Sequence, residues 1–279
     1  MREINSIEIT KAIKGLCLAA NCKLGNDVKQ ALENAQEIEI SPIGKNTLNQ
    51  IIANYKIAET ENIAICQDTG MIVVFIDIGQ DVHISGNLED AINQGIRESY
   101  KDGYFRNSVV KDPITRENTN DNTPAIIHYN IVPGENIKII VAPKGFGSEN
   151  MSKIKMLKPS DGVTGITDFV IETIDTAGSN PCPPIVVGVG IGGTMEKASI
   201  LAKFAAVRSI NTYNPEKHIE TLEKELLEKI NKLGIGPMGL GGRITALKVN
   251  IETFPTHIAG LPVAVNINCH ATRHAEIIL

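Results

Sequence analysis

The sequence predicts a mixed α/β (α+β) fold in which a helical N-terminal region precedes mixed sheets flanked by helices. Three observations carry this. Across the first sixty residues the apolar positions Ile7, Ile9, Ala12, Ile13, Leu16 and Ala19 recur at helical spacing. From residue 71 onward, short β-branched runs such as "MIVVFIDIG" and "PIVVGVG" punctuate the chain. Helical stretches separate these runs in an irregular order, which suits mixed sheets better than a regular βαβ series. With 279 residues, 42% of them hydrophobic, the chain is long enough to bury a large core. The expected organisation is a single domain over 1–279, with the helical region of about 1–60 packed on it.

Taken in order, the first helix breaks at Gly25-Asn26 and "DVKQALENAQEI" resumes the helical pattern. A third helix opens at "SPIGKNTLNQII", where Ser41 can cap and Pro42 suits the first helical position. The hexapeptide "ICQDTG", residues 65–70, stands where that helix gives way to the strand "MIVVFIDIG". A helix is expected across "LEDAINQGIRESYKDGY", then an irregular loop, "FRNSVVKDPITRENTNDNTP", rich in Asn, Asp, Thr and Pro. Two β-rich runs follow, "AIIHYNIVPG" and "NIKIIVAPKGFG", and Pro133-Gly134 between them predicts a hairpin. Next come a helix in "PSDGVTGITDFVIETIDTAG", a buried strand in "PIVVGVG" and a helix in "TMEKASILAKFAAVRSI". "PEKHIETLEKELLEKINKLG" reads as an amphipathic helix with a solvated Glu/Lys face. The C-terminal stretch holds two β-branched runs around a Pro/His/Gly loop.

Charge and cysteine usage narrow the function. A net charge of −5, without a dense Lys/Arg tract, argues against a nucleic-acid or acidic-membrane partner. No apolar run has the length of a signal-peptide core near the N-terminus or of a membrane span anywhere, so a cytoplasmic location is expected. Five cysteines are too few and too scattered for a secreted disulfide framework, which leaves thiols or metal-bound thiolates. Cys17 and Cys22 lie inside the helical region and read as packing. Cys66, Cys182 and Cys269 each adjoin a strand-like run and loop-forming residues, at separations that match no zinc-finger pattern. "HATRH" lacks the Glu of a zinc-protease helix, so His270 and His274 read as packing or substrate-side residues.

"GVGIGG" satisfies G-x-G-x-x-G through Gly188, Gly190 and Gly193, but no second strand ending in an acidic residue follows at the required distance. A dinucleotide site is therefore set aside. What remains is close backbone approach and N–H groups at a helix start, which suit an anion.

Together, "ICQDTGMIVVF", "APKGFGSENMSKIKMLKPSDGV", "NPCPPIVVGVGIGGTMEKASILAK" and "GLGGRITALKVNIETFPTHIAGLPVAVNINCHATRHA" resemble the alpha subunit of the iron-sulfur-dependent hydro-lyases, the two-subunit class I fumarate hydratase and L-tartrate dehydratase family. The resemblance runs in order over nearly the whole chain. It implies a [4Fe-4S] cluster held by three thiolates, at the matching positions Cys66, Cys182 and Cys269, with the fourth iron open. It further implies substrate contacts from Gln67, Arg106, Gly145 and Gly147, and catalytic roles for Asp68 and His257. Two positions depart from the pattern: Phe146 interrupts a run of three glycines, and Thr256 replaces a common Cys.

The chemistry explains why such residues belong together. Adding water to a dicarboxylate alkene, or removing it, needs a Lewis acid on the hydroxyl and a base on a weakly acidic carbon proton. It also needs cationic or N–H partners for the carboxylates. The family expectation is a heteromer with a beta subunit, as dimerised αβ pairs, acting on a small dicarboxylate. Fumarate/malate is expected ahead of L-tartrate. A non-catalytic iron-sulfur redox or sensor module is the alternative from another class, against which Asp68, Arg106 and His257 argue, because electron transfer needs none of them.

Overall fold

The computed structural model describes residues 2–279, and these form two compact units of mixed α/β structure. Unit 1 comprises residues up to Gly25, Asn54–Phe146 and Arg273–Leu279; unit 2 comprises Asn26–Ala53 and Gly147–Thr272. No helix among the described residues is long and apolar enough to cross a membrane.

Unit 1 is built on a four-stranded sheet. The elements are β1 (Arg2–Asn5), α1 (Ser6–Cys22), β2 (Met71–Gly79), β3 (Val82–Ser85), α4 (Leu88–Asp102), β4 (Ile126–Val132), β5 (Ile137–Lys144) and β10 (Ala275–Ile278). Asn5 caps α1 by accepting from Ile7 N, and Glu8 reaches back to the Asn5 amide to complete the capping box. Helices α1 and α4 pack on each other, and α1 lies against β5. Its apolar stripe, Ile9, Ile13, Leu16 and Cys17, joins Ile72, Val74, Ile76, Ile92 and Ile96 in one core. Gly95 is required in this packing, because a Cβ there would meet the Thr10 carbonyl at 2.6 Å.

The strand order β10-β5-β2-β4 overturns the expected hairpin. Strand β2 pairs antiparallel with β5 and parallel with β4, so it lies between the two runs that Pro133-Gly134 joins. The reason is burial. Residues 72–76 of β2 are buried in succession and need a strand on each side, whereas β4 is largely exposed and suits an edge. The Pro-Gly connection passes the end of β2, where the Gly134 carbonyl accepts from Asp81 N at 3.0 Å.

In unit 2 the sheet order is β6-β9-β7-β8, formed by β6 (Lys153–Leu157), β7 (Ile185–Gly192), β8 (Ala246–Phe254) and β9 (Leu261–Asn268). Helices α6 (Gly162–Ala177) and α8 (Lys217–Lys232) share one core with Val187, Val189, Val263 and Val265. Helix α7 (Met195–Ala205) packs through Ala198 and Ala202 against Ala264, on the sheet face that β7 and β9 present with their alternate residues. Here the glycines of "GVGIGG" find their use. A Cβ on Gly188 would lie 2.1 Å from the Ala202 carbonyl, and one on Gly190 would lie 2.0 Å from that of Ala198. They let a helix rest directly on a strand.

Helices α2 (Asn26–Ile38) and α3 (Pro42–Glu61) fall as the sequence indicates, whereas the single turn α5 (Phe146–Glu149) stands where the sequence suggests the end of a β-rich run. Ser41 Oγ accepts from Gly44 N at 3.2 Å, and Pro42 is the first residue of α3. The Glu/Lys face of α8 carries Lys224–Glu220 and Lys232–Glu228 pairs at i,i+4 spacing, the second exposed at both ends and the first with Glu220 half-buried.

Candidate active site

In unit 1 the turn "ICQDTG" is held from several directions. Ile65 N donates to the Asn21 carbonyl at 2.9 Å, and Asn54 Nδ2 donates to the Ile65 carbonyl at 2.9 Å. This fixes the residue before Cys66 against α1 and the end of α3. Cys66 is half-buried, Gln67 is exposed and Asp68 is half-buried. Asp68 Oδ1 accepts from Gly70 N at 3.0 Å, and Oδ2 accepts from Phe146 N at 2.8 Å. Two backbone amides therefore aim one carboxylate.

Two glycines make this possible. Gly70 has φ +78°, and a Cβ on it would lie 2.8 Å from the Lys144 backbone. A Cβ on Gly145 would lie 3.1 Å from Asp68 Oδ2. The Phe146 departure is thereby explained. Its backbone amide serves Asp68 while its side chain stays 46% exposed.

Arg106 is tied to the same turn through its backbone, for Thr69 Oγ1 donates to its carbonyl at 2.8 Å. Arg106 itself is exposed, and Phe105 beside it packs edge-on to Tyr100. The polar loop is thus anchored where it meets the turn. Asn122, fully buried within it, donates to the Gly70 carbonyl at 3.0 Å and accepts from Ser108 N at 2.8 Å.

Unit 2 brings Cys182 and Cys269 together. Cys182 has φ +54°, a left-handed conformation unusual for a side chain, just before β7. Cys269 follows β9, and the antiparallel β7–β9 pairing matches Val186 with Asn268. His270 N donates to the Cys182 carbonyl at 3.3 Å, and His270 Nδ1 lies 3.0 Å from the same oxygen. A carbonyl only accepts, so Nδ1 carries the proton. His270 is a bracket between the two thiol-bearing segments.

His257 is exposed in the β8–β9 connection. Its Nδ1 accepts from Ala259 N at 3.2 Å, which leaves Nε2 as the protonated nitrogen of the neutral ring. The loop is moored to Gly193: Gly193 N donates to the Pro255 carbonyl at 3.2 Å, and Thr256 Oγ1 donates to the Gly193 carbonyl at 2.9 Å. Thr256 therefore has a structural use. Gly147 belongs to this unit, and a Cβ on it would meet only the Asn180 carbonyl, at 3.5 Å.

The cysteines divide into two chemical kinds. Cys17 and Cys22 are buried, and burial pushes the Cys17 thiol up to about 12 and raises that of Cys22. Such thiols resist becoming thiolates. Cys66, Cys182 and Cys269 are each half-buried, in the loop before β2, just before β7 and just after β9, which suits thiolate ligands. Among the described residues, no three His, Cys, Asp or Glu side chains gather into a group that could hold a metal.

Sequence reasoning did not find Tyr100, Asn122 or Arg273. Tyr100 Oη donates to the Thr69 carbonyl at 2.6 Å, and Arg273 Nη2 donates to that of Asp68. No local signal marks them: one is a helix aromatic, one lies in a tract of Asn and Asp, and one follows the last cysteine in "HATRH".

Comparison with known proteins supplies the family. A family model described as fumarate hydratase (Fumerase) matches residues 10–278. The chain is 49% identical over 276 residues to the putative L(+)-tartrate dehydratase subunit alpha of Methanocaldococcus jannaschii, covering 96% of each chain. It is 32% identical over 276 residues to the L(+)-tartrate dehydratase subunit alpha of Escherichia coli O157:H7, covering 98% of this chain and 91% of that one. The protein of that name from Escherichia coli strain K12 is 31% identical over 276 residues, with the same coverage. With a family model spanning nearly all of its length and relatives matched over at least nine-tenths of theirs, the chain belongs to the fumarate hydratase (Fumerase) family of hydro-lyases.

Proposed function

We propose that this chain is the cluster-bearing alpha subunit of a hydro-lyase acting on a small hydroxy-dicarboxylate, with L(+)-tartrate as its first candidate substrate. The observation that carries the reading is the mount of Asp68, a carboxylate aimed by two backbone amides, two residues after a half-buried cysteine. A carboxylate so held can take or give a proton at a fixed point. The substrate preference expected from sequence, fumarate/malate, gives way here because the relatives' names favour tartrate. Fumarate remains the second reading, favoured by the description of the family model.

Cys66, Cys182 and Cys269 are the thiols whose exposure fits cluster ligation. When bound, a [4Fe-4S] cluster supplies a Lewis-acidic iron that polarises the departing hydroxyl. The chain's own residues do the rest. Asp68 handles a proton beside that hydroxyl. Arg106, an exposed residue, takes a substrate carboxylate through paired N–H groups. Gln67, with an exposed amide beside the ligand position, and the backbone at Gly145 and Gly147 orient the substrate. His257, with its Nε2 proton outward, donates to the substrate or to a bound water. Relatives named as alpha subunits support a beta partner; on this reading it completes the site, and the αβ pairs dimerise.

The test pairs cluster loading with substrate choice. Anaerobic protein co-expressed with its beta subunit is assayed on L(+)-tartrate, malate and fumarate, alongside Cys66→Ala, Cys182→Ala, Cys269→Ala, Cys17→Ala and Cys22→Ala. The first three variants should lose iron and activity together, while the last two keep iron near the unmutated level. Equal iron in all five would sink the ligand assignment. Turnover of fumarate and malate without tartrate would move the reading to its second form.

A further inference from the structure

We infer that Arg273 is the positioning residue for Asp68. Its side chain is buried, 4% exposed, and its Nη2 donates to the Asp68 carbonyl. Its Nε and Nη1 are buried too and have no hydrogen-bond partner among the described residues. None of its hydrogen bonds goes to a carboxylate. A guanidinium carries its charge at any working pH, and a buried charge left unbalanced is less favourable than an apolar side chain of similar volume. Stability alone therefore gives no reason for an arginine here.

What it holds gives the reason. The carbonyls of Asp68, Thr69 and Gly70 are each taken by a side chain. Tyr100 Oη serves those of Thr69 and Gly70, at 2.6 and 3.1 Å, and Asn122 Nδ2 serves that of Gly70 at 3.0 Å. Arg273 serves that of Asp68. The carboxylate of the same residue is aimed by the Gly70 and Phe146 amides. Asp68 is thus mounted at three points, two on its carboxylate and one on its own backbone. Without the third, the peptide after Asp68 can rotate and both amide bonds to the carboxylate loosen. That this mount serves catalysis rests on the proton-transfer role proposed for Asp68; that the mount depends on Arg273 does not.

The test uses the full chain with Arg273→Met, which keeps length and removes charge, and Arg273→Lys, which keeps charge and removes the planar fork. Amide hydrogen exchange at Gly70 and Phe146 reads the carboxylate's hold directly. In Arg273→Met these two amides should exchange at least about tenfold faster, while Val74 and Val141 inside β2 and β5 stay as protected as before. Thermal stability should be unchanged or raised. In the complex with the beta subunit, kcat should fall about 10²-fold with KM within about threefold and iron content unchanged, and Arg273→Lys should fall between. Unchanged exchange at Gly70 and Phe146 would overturn the proposal. So would a uniform loss of protection with a lowered melting temperature, which marks a merely structural arginine. If the unmutated complex has no dehydratase activity, the hydro-lyase reading fails, and the exchange measurement still decides the role of Arg273.

Discussion

Asp68 is where residue-scale chemistry is most sharply defined. Its two oxygens accept from Gly70 N and Phe146 N, so an amide in its place would meet one of those N–H groups with its own NH2 or turn its oxygen away from the other. Asp68→Asn should keep the fold and the iron but lose turnover by about 10²-fold or more, measured as kcat per iron in the anaerobic complex. Near-unmutated turnover would mean that the proton moves through another group. At this scale the sequence was readable where type and neighbourhood coincide. Cys66, Gln67 and Asp68 sit in one turn, and half-buried Cys182 and Cys269 flank paired strands as the spacing of their runs suggests. Arg273 was not readable, because its role comes from a carbonyl contact more than two hundred residues away along the chain. Nothing in "HATRH" encodes that contact.

Among the elements, glycines and one carboxylate set the packing. Gly190→Ala would drive a Cβ to 2.0 Å from the Ala198 carbonyl and 2.6 Å from Ala202 N, both backbone atoms that cannot step aside. A loss of about 3 kcal/mol or more is expected in thermal or denaturant unfolding. Gly15→Ala is the control. It is exposed in α1 with nothing within 4 Å of the added carbon, and should stabilise by up to about 1 kcal/mol. Glu39, 1% exposed, accepts from the backbone N–H groups of Ile40, Ser41, Arg243 and Ile244, joining the α2–α3 connection to the segment entering β8. Burial opposes its charge, but the bonds from Ser41, Arg243, Ile244 and Ile40 outweigh it and hold the carboxyl below its usual range. A depressed carboxylate stabilises the folded state above its ordinary pKa, and the contribution is lost as pH falls through the lower folded value. Stability should therefore decline below roughly pH 4, and Glu39→Gln should remove about 2 kcal/mol at neutral pH while flattening that part of the acid limb. An acid limb identical in both proteins would contradict this. The elements missed from sequence are short or depend on neighbours. Strands β1, β3 and β10 have four residues each, too few for a period, and the β4–β5 hairpin failed because a Pro-Gly turn encodes a reversal without saying which strand lies beside it.

For the molecule as a whole, Cys66 belongs to unit 1, and Cys182 and Cys269 to unit 2. The alpha-subunit names of its relatives point to a second polypeptide. The isolated chain should accept a cluster yet show negligible dehydratase activity, and gain it on mixing with its beta subunit, followed by anaerobic assay. Mixed α/β class was legible because helical spacing early and β-branched runs later are properties of local sequence. Strand order was not, because it depends on which apolar run needs neighbours on both sides. The most direct test of the central claim is the anaerobic turnover of L(+)-tartrate, malate and fumarate by the cluster-loaded complex, set against the same complex stripped of iron. The account expects turnover of at least one of these dicarboxylates that disappears with the iron and returns on reconstitution; equal turnover by the iron-free complex, or none by the fully loaded one, would contradict it.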